Sequence, residues 1–205
     1  SRFSLAPFSS AAGQALAEVL TREHAEEMDS QSTIIPPELS ELQNNLQATW
    51  KIVDNGPTVR MFRSTDNGLK VQVSFHGQDS VELEDEAYEE GEEPAAPIKF
   101  TVTGTKAGKS IVLVCISEDA QARIQSVAIS KGDVNAIHES GMEASEYQGP
   151  EFVELAEDLQ DAFHNFLEED VAVDSDVAAF VSMMADFKEQ TEYVAFLEDA
   201  KKLCS

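Results

Sequence analysis

The sequence predicts an α+β fold, an antiparallel sheet flanked by acidic helices. Three observations carry this. Residues 50–132 alternate apolar and polar positions between turn signals, the period of strands. The stretches on either side repeat apolar residues at helical spacing. Charge sorts along the same boundaries: residues 50–81 hold three acids and four bases, and 98–132 hold two acids and five bases. Residues 133–205 hold nineteen acids and three bases, and 1–49 hold seven and two. Between the two near-neutral stretches lies an acidic block, with eight acids in the twelve residues Glu82–Glu93. The 205 residues suit one sizeable core. We read a single domain over 1–205: a tail 1–8, a helix 9–29, a sheet 49–148 with an acidic loop 82–97, and two helices within 150–204.

The elements follow in order. From Ser9 or Ser10 to Asp29 the pattern is helical, with Leu16, Val19 and Leu20 on one face. Pro36 and Pro37 cannot continue that helix. "ATWKIVD", "TVRMFRS" and "LKVQVSFH" read as strands, the first two joined at "NGP" and the next two at "TDNG". Asn67-Gly68 is a hairpin signal because both residues tolerate positive φ. Val71, Val73 and Phe75 alternate with Lys70, Gln72 and Ser74, which marks a half-exposed strand. "IKFTVTG", "SIVLVCIS" and "ARIQSVAIS" complete six strands in meander order, and a short seventh is placed around "SEYQ". In "PEFVELAEDLQDAFHNFLEED" the apolar set Phe152, Leu155, Ala156, Leu159, Phe163, Phe166 and Leu167 predicts one helix, with Pro150 near its first position. A last helix spans about Asp176 to Leu203. Its stripe is Phe180, Val181, Met184, Phe187, Val194 and Leu197, and Asp174 or Ser175 caps it. With fifteen acids and one base over 151–199, these helices gain nothing from i,i+4 ion pairs of ~0.2–0.5 kcal/mol. Apolar burial must hold them.

Composition narrows the function. A net charge of −25 repels nucleic-acid backbones and anionic membranes and attracts basic proteins. No apolar run reaches the roughly 20 residues of a membrane-spanning helix. Cys115 and Cys204, mid-strand and tail, read as free thiols of a reducing compartment, and Cys115 as a core residue. "SRFSLAPFSS" carries Ser and Arg without acid, which suits either a transit-peptide remnant or a frayed end.

Chemical motifs are absent or broken. "TGTKAGKS" has three residues between Gly104 and Gly108 where a phosphate loop needs four, and a strand follows instead of a helix. A hairpin turn is expected there. His24, His76, His138 and His164 share no metal spacing. Asp170, Asp174 and Asp176 lack the glycine and terminal Glu of a calcium loop. No catalytic residue, metal site or cofactor is assigned. The acidic block itself reads as a solvated loop or as a partner-binding surface of Glu82, Glu84, Asp85, Glu86, Glu89, Glu90, Glu92 and Glu93.

"EQTEYVAFLEDAKKL" at 189–203 resembles the end of the mitochondrial glycoprotein family. Trp50 opening the first strand, the acidic insertion between the third and fourth strands, and "LAEDLQDAFHNFLEEDVAVD" match the family's order of elements. The amino-terminal "GQALAEVLTREHAEEM" fits less specifically. Close residue likeness lies in the last third. The resemblance implies a seven-stranded twisted antiparallel sheet with one N-terminal and two C-terminal helices, assembled as a doughnut-shaped homotrimer. It implies a non-enzymatic adaptor or chaperone of the mitochondrial matrix. Such a protein would bind basic partners, RNA-binding or ribosomal proteins, and so modulate RNA processing or translation. Tyr193, Phe196 and Leu197 would then lie at subunit contacts. The alternatives are weak divalent-cation binding by the dense carboxylates or, further off, a hydrolase whose mark would be a cleft with a strongly shifted carboxylate pair.

Overall fold

The computed structural model describes residues 10–30, 33–81 and 96–204. Helix α1 (Ala11–Asp29) begins at Ser10, whose Oγ accepts from the Gly13 amide at 3.1 Å, satisfying an otherwise unpaired donor of the first turn. Helix α1 ends at Asp29, ahead of the two prolines, which start a second helix instead. Pro37 opens α2 (Pro37–Leu46), because its missing N–H is one a helix start leaves unpaired anyway. Leu39 and Leu46 of α2 are buried.

Six strands follow in the sheet order of the chain: β1 (Lys51–Asn55), β2 (Thr58–Ser64), β3 (Lys70–His76), β4 (Ile98–Lys106), β5 (Lys109–Glu118) and β6 (Gln121–Ser130). All pairs are antiparallel. The expected turns are present. Gly68 sits at φ +81°, and Ala107 and Gly108 at +53° and +74° make a two-residue turn between Lys106 and Lys109. Positive φ at both central residues matches the right-handed twist of the flanking strands. The would-be phosphate loop is therefore this hairpin.

The two faces of the sheet are unlike. Val59, Met61, Val71, Val73, Phe75, Phe100, Val102, Leu113 and Cys115 share the inner face and are buried. Against them lies α5 (Ser175–Cys204), with Val177, Phe180, Val181 and Met184 buried. Phe75 and Phe180 meet edge-to-face at 6.3 Å, and Ser117 Oγ donates to the Ala178 carbonyl at 2.7 Å. Asp54 on the same face pairs with Lys188. The second half of α5 packs against α1 and α2.

Three expectations are corrected. Among the described residues the sheet has six strands, not seven. Residues 145–148 are turn and coil, and among the described residues the strand-type pairing of this segment with β6 is the single bridge Ser126–Glu151. Second, among the described residues there are five α-helices rather than three. Besides α2, a short α3 (Val134–Ser140) is capped by Asp133, which accepts from the Asn135 amide, and ends at Gly141 with φ +81°. Third, β3 is buried on both faces, with Gln72 at 7% and Ser74 at 5% exposure. The reason is α3, which lies over the outer face: His138 sits between Ser74 Oγ (2.5 Å from Nδ1) and Thr103 Oγ1 (2.9 Å from Nε2). A polar residue facing another polar residue still alternates like a solvated strand, so the pattern alone does not show the cover.

Candidate acidic interaction surface

The segment 149–170 shows how the acids are displayed. Gly149 has φ +85°, and its backbone lies so close to β6 that a Cβ would fall 1.9 Å from the Val127 carbonyl oxygen. This contact seats Phe152 in the core at 3% exposure, where it meets the rings of Phe163 at 6.2 Å and His164 at 5.4 Å. The single helix expected here is in three pieces: a 3-10 turn Phe152–Glu154, α4 (Glu157–Asn165) and a π turn Phe166–Asp170. Pro150 precedes the 3-10 turn and is not helical. The break falls at Leu155 and Ala156, which are extended. The Gln160 side-chain amide donates to the Leu155 carbonyl at 2.8 Å and so replaces a lost helical bond. The π turn ends with Val171 N donating to Phe166 O at 3.0 Å, and Leu167, Val171 and Val173 are fully buried. Asp174 then caps α5 by accepting from the Val177 amide at 3.1 Å.

With its apolar side fixed this way, the segment turns its acids outward. Glu151, Glu154, Glu157, Asp158, Asp161, Glu168, Glu169 and Asp170 are all exposed. Residues 151–170 contain no Lys or Arg. Among the described residues none of these eight carboxylates is in an ion pair, whereas Glu26, Glu118 and Glu139 each have an Arg partner. Further exposed acids are Asp174, which caps α5, and Asp176, Asp186, Glu189, Glu198 and Asp199 along that helix. Of these last, Glu198 and Asp199 are engaged by Lys202.

The eight loop acids Glu82, Glu84, Asp85, Glu86, Glu89, Glu90, Glu92 and Glu93 lie outside the described residues. Their flanks are paired: the Val81 amide donates to Pro97 O at 2.8 Å and the Lys99 amide to Asp79 O at 2.8 Å, so the block leaves from and returns to the same end of the β3–β4 pair. Of the three candidates for subunit contacts, Phe196 is 62% exposed, Tyr193 is half-buried, and Leu197 is buried inside its own chain at 3%. The Tyr193 and Phe196 rings stack at 6.5 Å. Leu197 therefore belongs to the packing of α5 rather than to an outward surface. Exposed Leu16, Val19 and Met28 on α1 and Leu203 on α5 were legible as apolar residues but not as uncovered ones. Their exposure depends on α1 having α5 as its main neighbour.

Other chemistry has little to stand on. Among the described residues no three His, Cys, Asp or Glu side chains come together as metal ligands. The carboxyls held below their usual range are single: Glu146 by Ser130 Oγ and the Lys131 amide, and Glu198 by Lys202. Cys115 is a free thiol that burial pushes far above its usual range. No helix among the described residues is long and apolar enough to cross a membrane.

Comparison with known proteins identifies both the family and the fold. The mitochondrial glycoprotein (MAM33) family model matches residues 20–204. The chain belongs to that family of mitochondrial acidic proteins. It is 29% identical over 188 residues to the mitochondrial acidic protein mam33 of Schizosaccharomyces pombe, a match spanning 82% of this chain and 69% of that protein. The fold is shared with the p22 protein of Trypanosoma brucei, at TM-score 0.70 and 21% identity, covering 96% of this chain and all of that one. It is shared equally with a Leishmania major protein described as a sequence homologue of human p32, at TM-score 0.70 and 21% identity, covering 95% of this chain and 100% of that one.

Proposed function

We propose that this chain is a non-enzymatic adaptor or chaperone of the mitochondrial matrix that recruits basic proteins, RNA-binding or ribosomal ones, and so modulates RNA processing or translation. The observation that carries the reading is the run of eight exposed, unpaired carboxylates over 151–170. Among the described residues none of them is in an ion pair, so their field extends into solvent over roughly a Debye length of 8 Å. It speeds encounter with Lys/Arg-rich surfaces. Single surface pairs contribute only ~0–1 kcal/mol, so affinity requires many of them together or several copies of the surface.

The second need is met by the homotrimer that the family resemblance implies. Support comes from the apolar side chains left uncovered on α1 and at the end of α5, Leu16, Val19, Met28, Phe196 and Leu203. Three chains of net charge −25 repel one another, so the trimer should strengthen with salt; sedimentation as a monomer at every ionic strength would remove it. The recruiting role is tested by changing Glu157, Asp158, Asp161, Glu168, Glu169 and Asp170 to Gln or Asn. Binding of a Lys/Arg-rich peptide, followed by fluorescence anisotropy from low to high salt, should weaken and lose salt dependence. A parallel pull-down from mitochondrial extract names the partners. Unchanged affinity and salt slope would move the role to the 82–93 block.

A further inference from the structure

The outer face of the sheet carries charge of the opposite sign. We infer that it holds a binding site for a small organic oxyanion, a phosphate- or carboxylate-bearing molecule, in a cleft of about 490 Å³ lined by Lys51, Phe62, Lys70, Gln72, Thr103 and Asn135. This goes beyond the recruiting of basic proteins and does not depend on it.

Strand register builds the cleft. Lys51 stands opposite Phe62, Phe62 opposite Gln72, and Gln72 opposite Thr103, so these four form one row across β1 to β4. In the next row Ser64, Lys70 and Thr105 are neighbours. One wall is α3, through Val134 and Asn135. That wall is fixed in place, because His138 one turn further on is held between Ser74 and Thr103.

Two independent features select an anion. First, the outward-facing side chains of the lining include Lys51 and Lys70 and no carboxylate, in a chain with 39 acids and 14 bases. Lys51 and Lys70 are exposed, and neither has a carboxylate partner among the described residues. Second, the site has a buried donor without an acceptor. Gln72 is 7% exposed, and its Nε2 is buried with no partner among the described residues. Arg63 takes no part: it stands opposite Val71 on the inner face, and its guanidinium lies over the Trp50 ring at 5.3 Å. Buried donors left unpaired are costly, and an oxyanion supplies acceptors and negative charge together. Phe62 and Val134 give the organic part of the ligand an apolar contact. The carboxylates of 151–170 oppose an anion only within a screening length, so binding is local and salt-sensitive.

The test uses the full chain labelled with ¹⁵N, titrated at fixed ionic strength with pyrophosphate in one arm and citrate in the other. The expected result is a saturable shift of the Gln72 side-chain amide and of the Lys51 and Lys70 backbone amides in at least one arm, which also identifies the preferred anion. Lys51→Gln with Lys70→Gln should lower affinity about tenfold. Lys106→Gln with Lys109→Gln, at the tip of the β4–β5 hairpin, should leave it unchanged. Gln72→Leu keeps the shape, removes an unpaired buried donor and should fold, yet bind several-fold more weakly. The proposal is overturned by no saturable shift in either arm, by equal losses in the two lysine pairs, or by full affinity in the Gln72→Leu protein.

Discussion

Acidification should loosen the clamp between α3 and the sheet, and His138 sets the size of the effect. Burial and then the nearby Arg60 guanidinium lower its pKa from 6.5 to about 4. A neutral imidazole has one N–H and one bare nitrogen. Hydroxyls both donate and accept, so Ser74 and Thr103 satisfy either tautomer. Between pH 6.5 and about 4 the unfolded chain binds a proton that the folded chain does not. Stability from this group is therefore complete above pH 6.5, falls as pH drops through that window, and changes no further below about 4. At about 1.4 kcal/mol per pH unit the ceiling is about 3.4 kcal/mol, with about 2 kcal/mol lost by pH 5. Urea denaturation of the parent and of His138→Gln at pH 7.5, 6 and 5 isolates the contribution of this imidazole, because the many carboxylates are common to both. His138→Gln should be less stable at pH 7.5, and the gap should narrow by about 2 kcal/mol by pH 5. A gap independent of pH, or an imidazole resonance titrating near pH 6.5, would refute the reasoning.

Other perturbations test the packing. Gly149→Ala must place a Cβ 1.9 Å from Val127 O at φ +85°, so it should cost about 3 kcal/mol or more and release the 149–152 segment from β6, read as lost amide protection there. Gly77→Ala meets the Glu189 amide nitrogen at 3.0 Å and Lys188 Cβ at 3.1 Å; thermal denaturation should show a loss of about 1–3 kcal/mol. Asp54→Ala strands the buried Lys188 ammonium and should destabilise by about 1–3 kcal/mol, whereas Lys188→Met should be nearly neutral. A thiol reagent should modify Cys115 only as fast as the chain unfolds, since burial holds the thiol protonated; Cys204, at the last turn of α5, should react ahead of it.

The elements that were legible in the sequence are those whose burial follows one period. The stripe Phe180, Val181, Met184, Val194 and Leu197 marks α5 because that helix lies between the sheet and two other helices. Ser10, Asp174, Asn67-Gly68 and Ala107-Gly108 act within a few residues, so their turn and cap roles show in the local sequence. What failed depended on distant neighbours. Helix α3 has one buried residue, Ile137, too few for a period, and its contact with β3 and β4 spans 64 and 35 residues. The local signals available for it, Asp133 as a cap and Gly141 as a stop, are not among those the sequence expectations rest on. The helix over 151–170 broke because Phe152 is pulled into the core by the Gly149 contact with Val127, and periodicity carries no information about that contact. The outer-face cleft was hidden for the same reason. Lys51 lies in β1 and Lys70 and Gln72 in β3, two strands away, and only strand register brings them to one face.

Charge and fold are separable in this protein, and the separation is informative. Glu157 and Asp158 sit in the first turn of α4, where the helix dipole favours them by ~0.3–1 kcal/mol. Glu168, Glu169 and Asp170 stand at the opposite, unfavourable end, and among the described residues none of them is in an ion pair. That end is held by Leu167, Val171 and Val173, each at most 1% exposed. The fold therefore does not need those three carboxylates, and their mutual repulsion works against it. The unpaired Gln72 amide is a similar case on the opposite face, a polar group whose burial costs stability that a leucine there would not. Departures from local optimum concentrate where a chain serves something besides its own folding. Here they fall at two separate places of opposite electrostatic character. A single acidic surface would explain the first but not the second, and this asymmetry is the reason to test the two faces with ligands of opposite sign.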